Sequence, residues 1–140
     1  MFTGTFEVKV DDKNRVFIPA QFRHEITNQL MITFIDPDLI IIFEDDNNSL
    51  IASLPEEKKT PKVIDYMTGQ TYKVNIDGQG RMLIPSRGKL FESNIKGTAY
   101  IVGFGNMLKL YSQKAYLIEY KKQIEEMKKL EIGESLRRLP

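Results

Sequence analysis

Cysteine is absent from the 140 residues, and histidine occurs once, at position 24. The first absence removes disulfides, thiolate metal sites and cysteine nucleophiles. A lone His24 leaves too little for a histidine-rich metal site or a Ser-His-Asp triad. Long hydrophobic runs are missing as well. The longest, Leu39 to Phe43, has strand length, far short of the roughly 18–20 residues that span a bilayer. The opening residues Met1-Phe2-Thr3-Gly4 carry no basic or greasy segment, so no secretion signal is visible and a cytoplasmic protein is expected. A surplus of one charge is also lacking, with Lys+Arg 20 against Asp+Glu 19 and a formal net charge of +1. What is present is ordinary for a globular chain: 41% hydrophobic and 28% charged residues, too apolar and too balanced for a disordered one. The length suits one domain or two small, closely packed ones.

The near-zero total hides a split. Residues 31–57 carry Asp36, Asp38, Glu44, Asp45, Asp46, Glu56 and Glu57 with no Lys or Arg, a local charge of −7. Residues 71–90 sum to +3, as do residues 109–140. That asymmetry is compatible with a two-faced molecule meeting a polyanion on one side; ordinary solvated surfaces produce it too.

Self-similarity organises the chain. Thr5 to Pro19 aligns without a gap to Thr71 to Pro85, an offset of 66 residues. Six of the fifteen pairs are identical (Thr, Val, Asp, Arg, Ile and Pro), and four more exchange like for like. Unrelated segments of ordinary composition share roughly one. The same offset sets Phe34-Ile35 against Tyr100-Ile101, and a two-residue shift matches Leu39–Phe43 to Met107–Tyr111. The chain is a duplicated unit, with repeat one at 5–47 and repeat two at 71–114 forming one compact domain, and a C-terminal helical segment at 115–132.

Each copy reads as strand, turn, strand, short helix, strand, strand. Phe6, Val8 and Val10 alternate with Glu7 and Lys9, the period of a half-buried strand. Asp-Asp-Lys-Asn and Asp-Gly-Gln-Gly follow as turns tolerant of positive φ. Val16-Phe17-Ile18 and Met82-Leu83-Ile84 each end at a proline, which cannot extend a ladder but suits a helix's first turn. Phe22 and Ile26, four apart, mark one face of a short helix. Hairpins close each copy through Asp36-Pro37-Asp38 and Gly103-Phe104-Gly105-Asn106. A short helix is expected after the capping cluster Asn47-Asn48-Ser49, and another from Pro61 to Met67. A longer one runs from about Gln113 to about Leu130. Its stripe Leu117, Tyr120, Ile124, Met127 and Leu130 needs a covering surface, from its own domain or from another subunit. The tail from Gly133 to Pro140 is expected to be mobile.

Chemistry concentrates in the doubled Asp-x-x-x-Arg: Asp11 with Arg15, and Asp77 with Arg81. At a tight turn the carboxylate can hold the guanidinium or cap the turn amides. An arginine so oriented presents a rigid fork that matches phosphate oxygens or the O6/N7 edge of guanine. In a single copy, a salt bridge locking a hairpin is the better explanation of the motif. Two copies suggest a docking surface for a DNA major groove, built from Lys13, Arg15, Arg23, Arg81 and Arg87. Asp12 weakens the field of copy one, so copy two is the stronger phosphate binder by this reading. Asp36-Asp38 and Glu44-Asp45-Asp46 lack a full metal coordination set. Gly78-x-Gly80 and Gly103-x-Gly105 lack a dinucleotide or Walker pattern. With no nucleophile, base and orienting group to assemble, neither an enzyme nor a cofactor or small-molecule substrate is expected.

Met1-Phe2-x-Gly4, the doubled Asp-x-x-x-Arg followed by Ile-Pro, and Val102-Gly103-Phe104-Gly105-Asn106 together resemble the MraZ family of bacterial transcriptional regulators, built from two SpoVT/AbrB-type repeats. The resemblance covers residues 1 to about 130. It implies a mainly β fold with short helices, a pseudo-twofold swapped-hairpin barrel in which tandem copies replace the two chains of an AbrB-like dimer. It also implies ring-like homo-oligomers, larger than a dimer, that bind repeated boxes of double-stranded DNA near a division and cell-wall operon, in the nucleoid. Arg15 and Arg81 match the motif arginines, and Asp11 and Asp77 their partners. Asn14 replaces the usual glycine before Arg15, which predicts a different φ in that turn, and Arg87-Gly88-Lys89, set against Gln21-Phe22-Arg23, predicts an interrupted second short helix. The rival expectation is an antitoxin-like protein-interaction module on the same barrel, gripping its partner with the acidic stretch 31–57 and the C-terminal helix.

Overall fold

The computed structural model describes residues 1–45 and 50–140. The capping cluster Asn47-Asn48-Ser49 lies outside the described residues. Eight antiparallel strands run in the order β5-β3-β4-β8-β7-β1-β2-β6. They are β1 (Thr5–Val10), β2 (Arg15–Phe17), β3 (Leu30–Asp36), β4 (Leu39–Glu44), β5 (Thr71–Val74), β6 (Arg81–Leu83), β7 (Gly97–Phe104) and β8 (Met107–Ser112). An Ile76–Met82 bridge joins the first strand's extension to the last and nearly closes the barrel. Inward residues of every strand fill it, among them Val8, Val16, Ile18, Ile32, Ile40, Met82, Ile101 and Leu110.

The hairpins are swapped between repeats. Strand β1 of the first copy pairs with β7 of the second, and β5 of the second with β3 of the first. The two copies meet directly at β4–β8 and at β2–β6, where a pseudo-twofold axis passes between equivalent strands. Each copy alone would leave half of its apolar faces bare; together they bury one core.

The register corrects one sequence alignment. Val8 faces Ala99, while its repeat partner Val74 faces Leu30. Leu30 and Ala99 are therefore equivalents, an offset of 69, so Phe34-Ile35 does not correspond to Tyr100-Ile101. Repeat two carries three extra residues between Pro85 and β7. They fall where repeat one forms α1 (Ala20–Arg23). In repeat two a 3-10 turn, Lys89–Phe91, follows Gly88, whose φ of 88° is left-handed. Phe91 and Ile95 thus occupy the places of Phe22 and Ile26. Phe22 is fully buried and meets Phe2 and Phe6 edge-on at 5.7 and 5.2 Å.

Helix α2 (Pro61–Gly69) begins with Pro61 at N1 and Thr60 as its cap, Oγ1 accepting from the Val63 amide at 3.3 Å. Ser112 caps α3 (Gln113–Lys129) in the same way, accepting from Ala115 N at 3.1 Å. Most of the C-terminal tail forms a further helix: α4 (Ile132–Arg137) follows a left-handed turn at Glu131, φ 54°. After Leu50 the expected short helix takes the form of a 3-10 turn, Ile51–Ser53, and a second 3-10 turn follows at Glu56–Lys58.

Candidate functional site

The two Asp-x-x-x-Arg turns are built alike, atom for atom. In the first, the Asp11 amide donates to Arg15 O at 2.9 Å and the Asn14 amide donates to Asp11 O at 3.1 Å. Asp11 Oδ1 accepts from the Lys13 and Arg15 amides at 3.0 and 2.8 Å, and Oδ2 accepts from Arg15 Nε at 2.7 Å. In the second, Asp77 Oδ1 accepts from the Gln79 and Arg81 amides at 2.9 and 3.0 Å, and Oδ2 accepts from Arg81 Nε at 2.9 Å. One aspartate therefore caps the turn and clamps the arginine at once. The Arg15 amide bond holds the Asp11 carboxyl below its ordinary pKa, with the guanidinium and the Lys13 amide adding to it against a partial desolvation. The Arg81 amide does the same for Asp77, helped by the Gln79 amide.

Both turns need a left-handed residue before the arginine. Gly80 supplies it at φ 82°, and Asn14 at φ 59°. The asparagine therefore keeps its turn in the same left-handed region as the glycine, being among the non-glycine residues that tolerate it best.

Strands β2 and β6 carry the arginines onto one surface. Val16 and Met82 point inward and are fully buried, so Arg15, Phe17, Arg81 and Leu83 face outward. The register sets Arg15 opposite Leu83 and Phe17 opposite Arg81. The Ile84 amide donates to Asn14 O and the Ile18 amide to Gly80 O. Arg15/Leu83 and Phe17/Arg81 are then the non-hydrogen-bonded pairs, whose side chains stand closest. The guanidinium-bearing side chains are 31% and 19% exposed, held in place yet open to solvent.

Other predicted residues fall in three different settings. Lys13 is exposed at the tip of the first turn. Arg23, on α1 of repeat one, reaches across to the turn of repeat two: a Cβ added to Gly80 would lie 2.5 Å from its Nη1. The residue at the corresponding place in repeat two is Glu92, which lines a surface cavity of about 300 Å³ together with Asn14 and Arg87. Arg87 is packed rather than displayed. Its guanidinium carbon sits 3.5 Å from the centre of the Phe34 ring and 4.6 Å from that of Phe91, and Nη1 donates to Gln70 Oε1.

Two of the acids of 31–57 tie loops down. Glu44 Oε1 accepts from the Thr27 and Asn28 amides at 2.6 and 2.9 Å, and Asp38 Oδ1 accepts from Ser112 Oγ at 2.8 Å. Sequence reasoning passed over Phe17 and Leu83, which are 50% and 56% exposed. Their alternation with buried Val16 and Met82 was the available signal.

These features define a class: a tandem-repeat, swapped-hairpin barrel that displays one clamped arginine turn from each repeat on a common outward ribbon. Residues 1–58 and 67–137 match the family described as "MraZ protein, putative antitoxin-like". The chain belongs to the MraZ family. Among its relatives are proteins named transcriptional regulator MraZ from Ureaplasma urealyticum, 26% identical with 83% of this chain and 84% of the relative covered, and from Shewanella pealeana, 28% identical with 97% and 93% covered. A third, of the same name, comes from Mesomycoplasma hyopneumoniae and is 30% identical over 83% of this chain and 82% of its own length. Among the described residues, no helix is long and apolar enough to cross a membrane.

Proposed function

We propose that this chain is a sequence-specific DNA-binding transcriptional regulator rather than an enzyme, and that it acts on repeated boxes near its own gene as a homo-oligomer in the cytoplasm, on the nucleoid. The observation that carries this reading is the paired turn geometry: two arginines, each clamped through Nε by an aspartate four residues earlier, on one two-stranded ribbon. A clamped guanidinium loses little freedom on meeting an acceptor, and a two-stranded ribbon fits the major groove. Arg15 and Arg81 read base edges, with Asp11 and Asp77 orienting them. Lys13 and Arg23 add phosphate contacts, Arg23 strengthening the second turn. Arg87 acts from behind, fixing the loop of repeat two against Phe34.

One protomer offers few cationic contacts, so affinity comes from several protomers on spaced boxes through effective concentration. Helix α3 supplies the contact between copies: Leu117, Ile118, Tyr120, Met127 and Leu130 are all exposed along it. Fluorescence anisotropy with a labelled duplex from upstream of the gene tests the reading. Tighter binding than to a scrambled duplex is expected, falling with added salt as counterions are released. Equal affinity for both duplexes would remove sequence-specific DNA binding.

A further inference from the structure

Phe17 and Leu83 are the inexplicable pair if the ribbon is only a scaffold. Each is a large apolar side chain standing in water on a three-residue strand. They are repeat equivalents, placed symmetrically about the axis, and each is the direct cross-strand neighbour of a clamped arginine. A turn needing only stability would carry a polar residue at such an outward position. Among the described residues, the hydrophobic cluster beneath them is complete without them.

The surrounding charge selects the occupant. An apolar protein partner would have to desolvate both guanidiniums, whereas a nucleic-acid groove offers acceptors to the arginines and an apolar feature beside them. The one apolar group on the major-groove floor is the thymine 5-methyl, and arginine's usual target there is the O6/N7 edge of guanine. We infer that Phe17 and Leu83 are specificity residues that contact thymine methyl groups, each beside the base read by the arginine across the ladder. This inference rests on the DNA-binding reading above. The two positions lie on a diagonal of the ribbon, Cα atoms roughly 8 Å apart from standard strand dimensions. At 3.4 Å per base step along a strand, the two thymines stand about two to three steps apart.

Thymine exchanged for deoxyuridine removes only the methyl. The full-length protein is titrated into the upstream duplex made with either base, and a scrambled duplex fixes the non-specific level. Burial of one methyl is worth roughly fourfold in affinity, so loss of both contacts weakens binding by about tenfold or more. The Phe17→Ser/Leu83→Ser variant binds the thymine duplex as weakly as the wild type binds the deoxyuridine duplex, and does not distinguish the two. Both side chains are solvent-facing, so the variant keeps the wild-type melting temperature. If the wild type binds the upstream duplex specifically yet equally well with either base, the methyl contact is overturned while the DNA-binding reading stands. If wild type and variant lose the same factor on deoxyuridine, the methyl acts through DNA shape or other residues, and the inference is overturned. Absence of specific binding to either duplex overturns both.

Discussion

Phe22→Ala probes how the core of repeat one supports the turn of repeat two. The ring is fully buried, beneath the four-residue helix α1, and its edge-on partners Phe2 and Phe6 come from the N-terminal segment and β1. Truncating a buried Phe to Ala costs about 3–5 kcal/mol, including the cavity and the lost ring contacts. For a chain of this size each kcal/mol moves the melting temperature by about 3–5 °C, so a fall of roughly 10–20 °C is expected. Phe91, its counterpart, is 38% exposed and loses mainly one face against Arg87, so Phe91→Ala costs less than half as much. Melting by circular dichroism at matched protein concentration, which fixes any contribution from association, separates the two. Below the transition, Phe22→Ala also weakens DNA binding, because α1 holds Arg23 over Gly80. Equal falls for the two variants, or a fall below about 4 °C for Phe22→Ala, would refute this account of the repeat asymmetry.

Two other perturbations address the turns and the assembly. Because the folded-state pKa of Asp77 is lowered, the clamp's contribution to stability is present above the unfolded aspartate value and is lost as pH falls through the folded one. The melting difference between wild type and Asp77→Ala is therefore flat from about pH 8 to 5 and closes only in stronger acid; a gap that narrows already between pH 7 and 5 would contradict the clamp. Ending the chain after Ser112 removes the exposed apolar face of α3, and light scattering is expected to show a smaller assembly than the full chain forms. An unchanged mass would overturn the proposal that α3 joins copies of the chain.

Legibility differed with the kind of pattern. Alternation in Phe6-Val8-Val10 and the proline ends of β2 and β6 announced the strands, because period two and a missing amide are local properties. The doubled aspartate and arginine announced the turns for the same reason. The three-residue insertion after Pro85 did not show, since an ungapped comparison set Gly88 against Phe22 and hid the match of Phe91 and Ile95. Arg87 and Arg23 carry the same charge in the sequence, but only the swapped pairing decides that one stacks on Phe34 and the other reaches Gly80. The helical tail was missed because Gly133 reads as a helix end, whereas the left-handed break falls at Glu131.

Affinity of the Arg15→Ala/Arg81→Ala protein for the upstream duplex tests the central claim most directly. Each lost bidentate contact costs about tenfold, so a loss of roughly a hundredfold in specific affinity is predicted with the melting temperature nearly unchanged. Binding as tight and as specific as the wild type's would contradict the account.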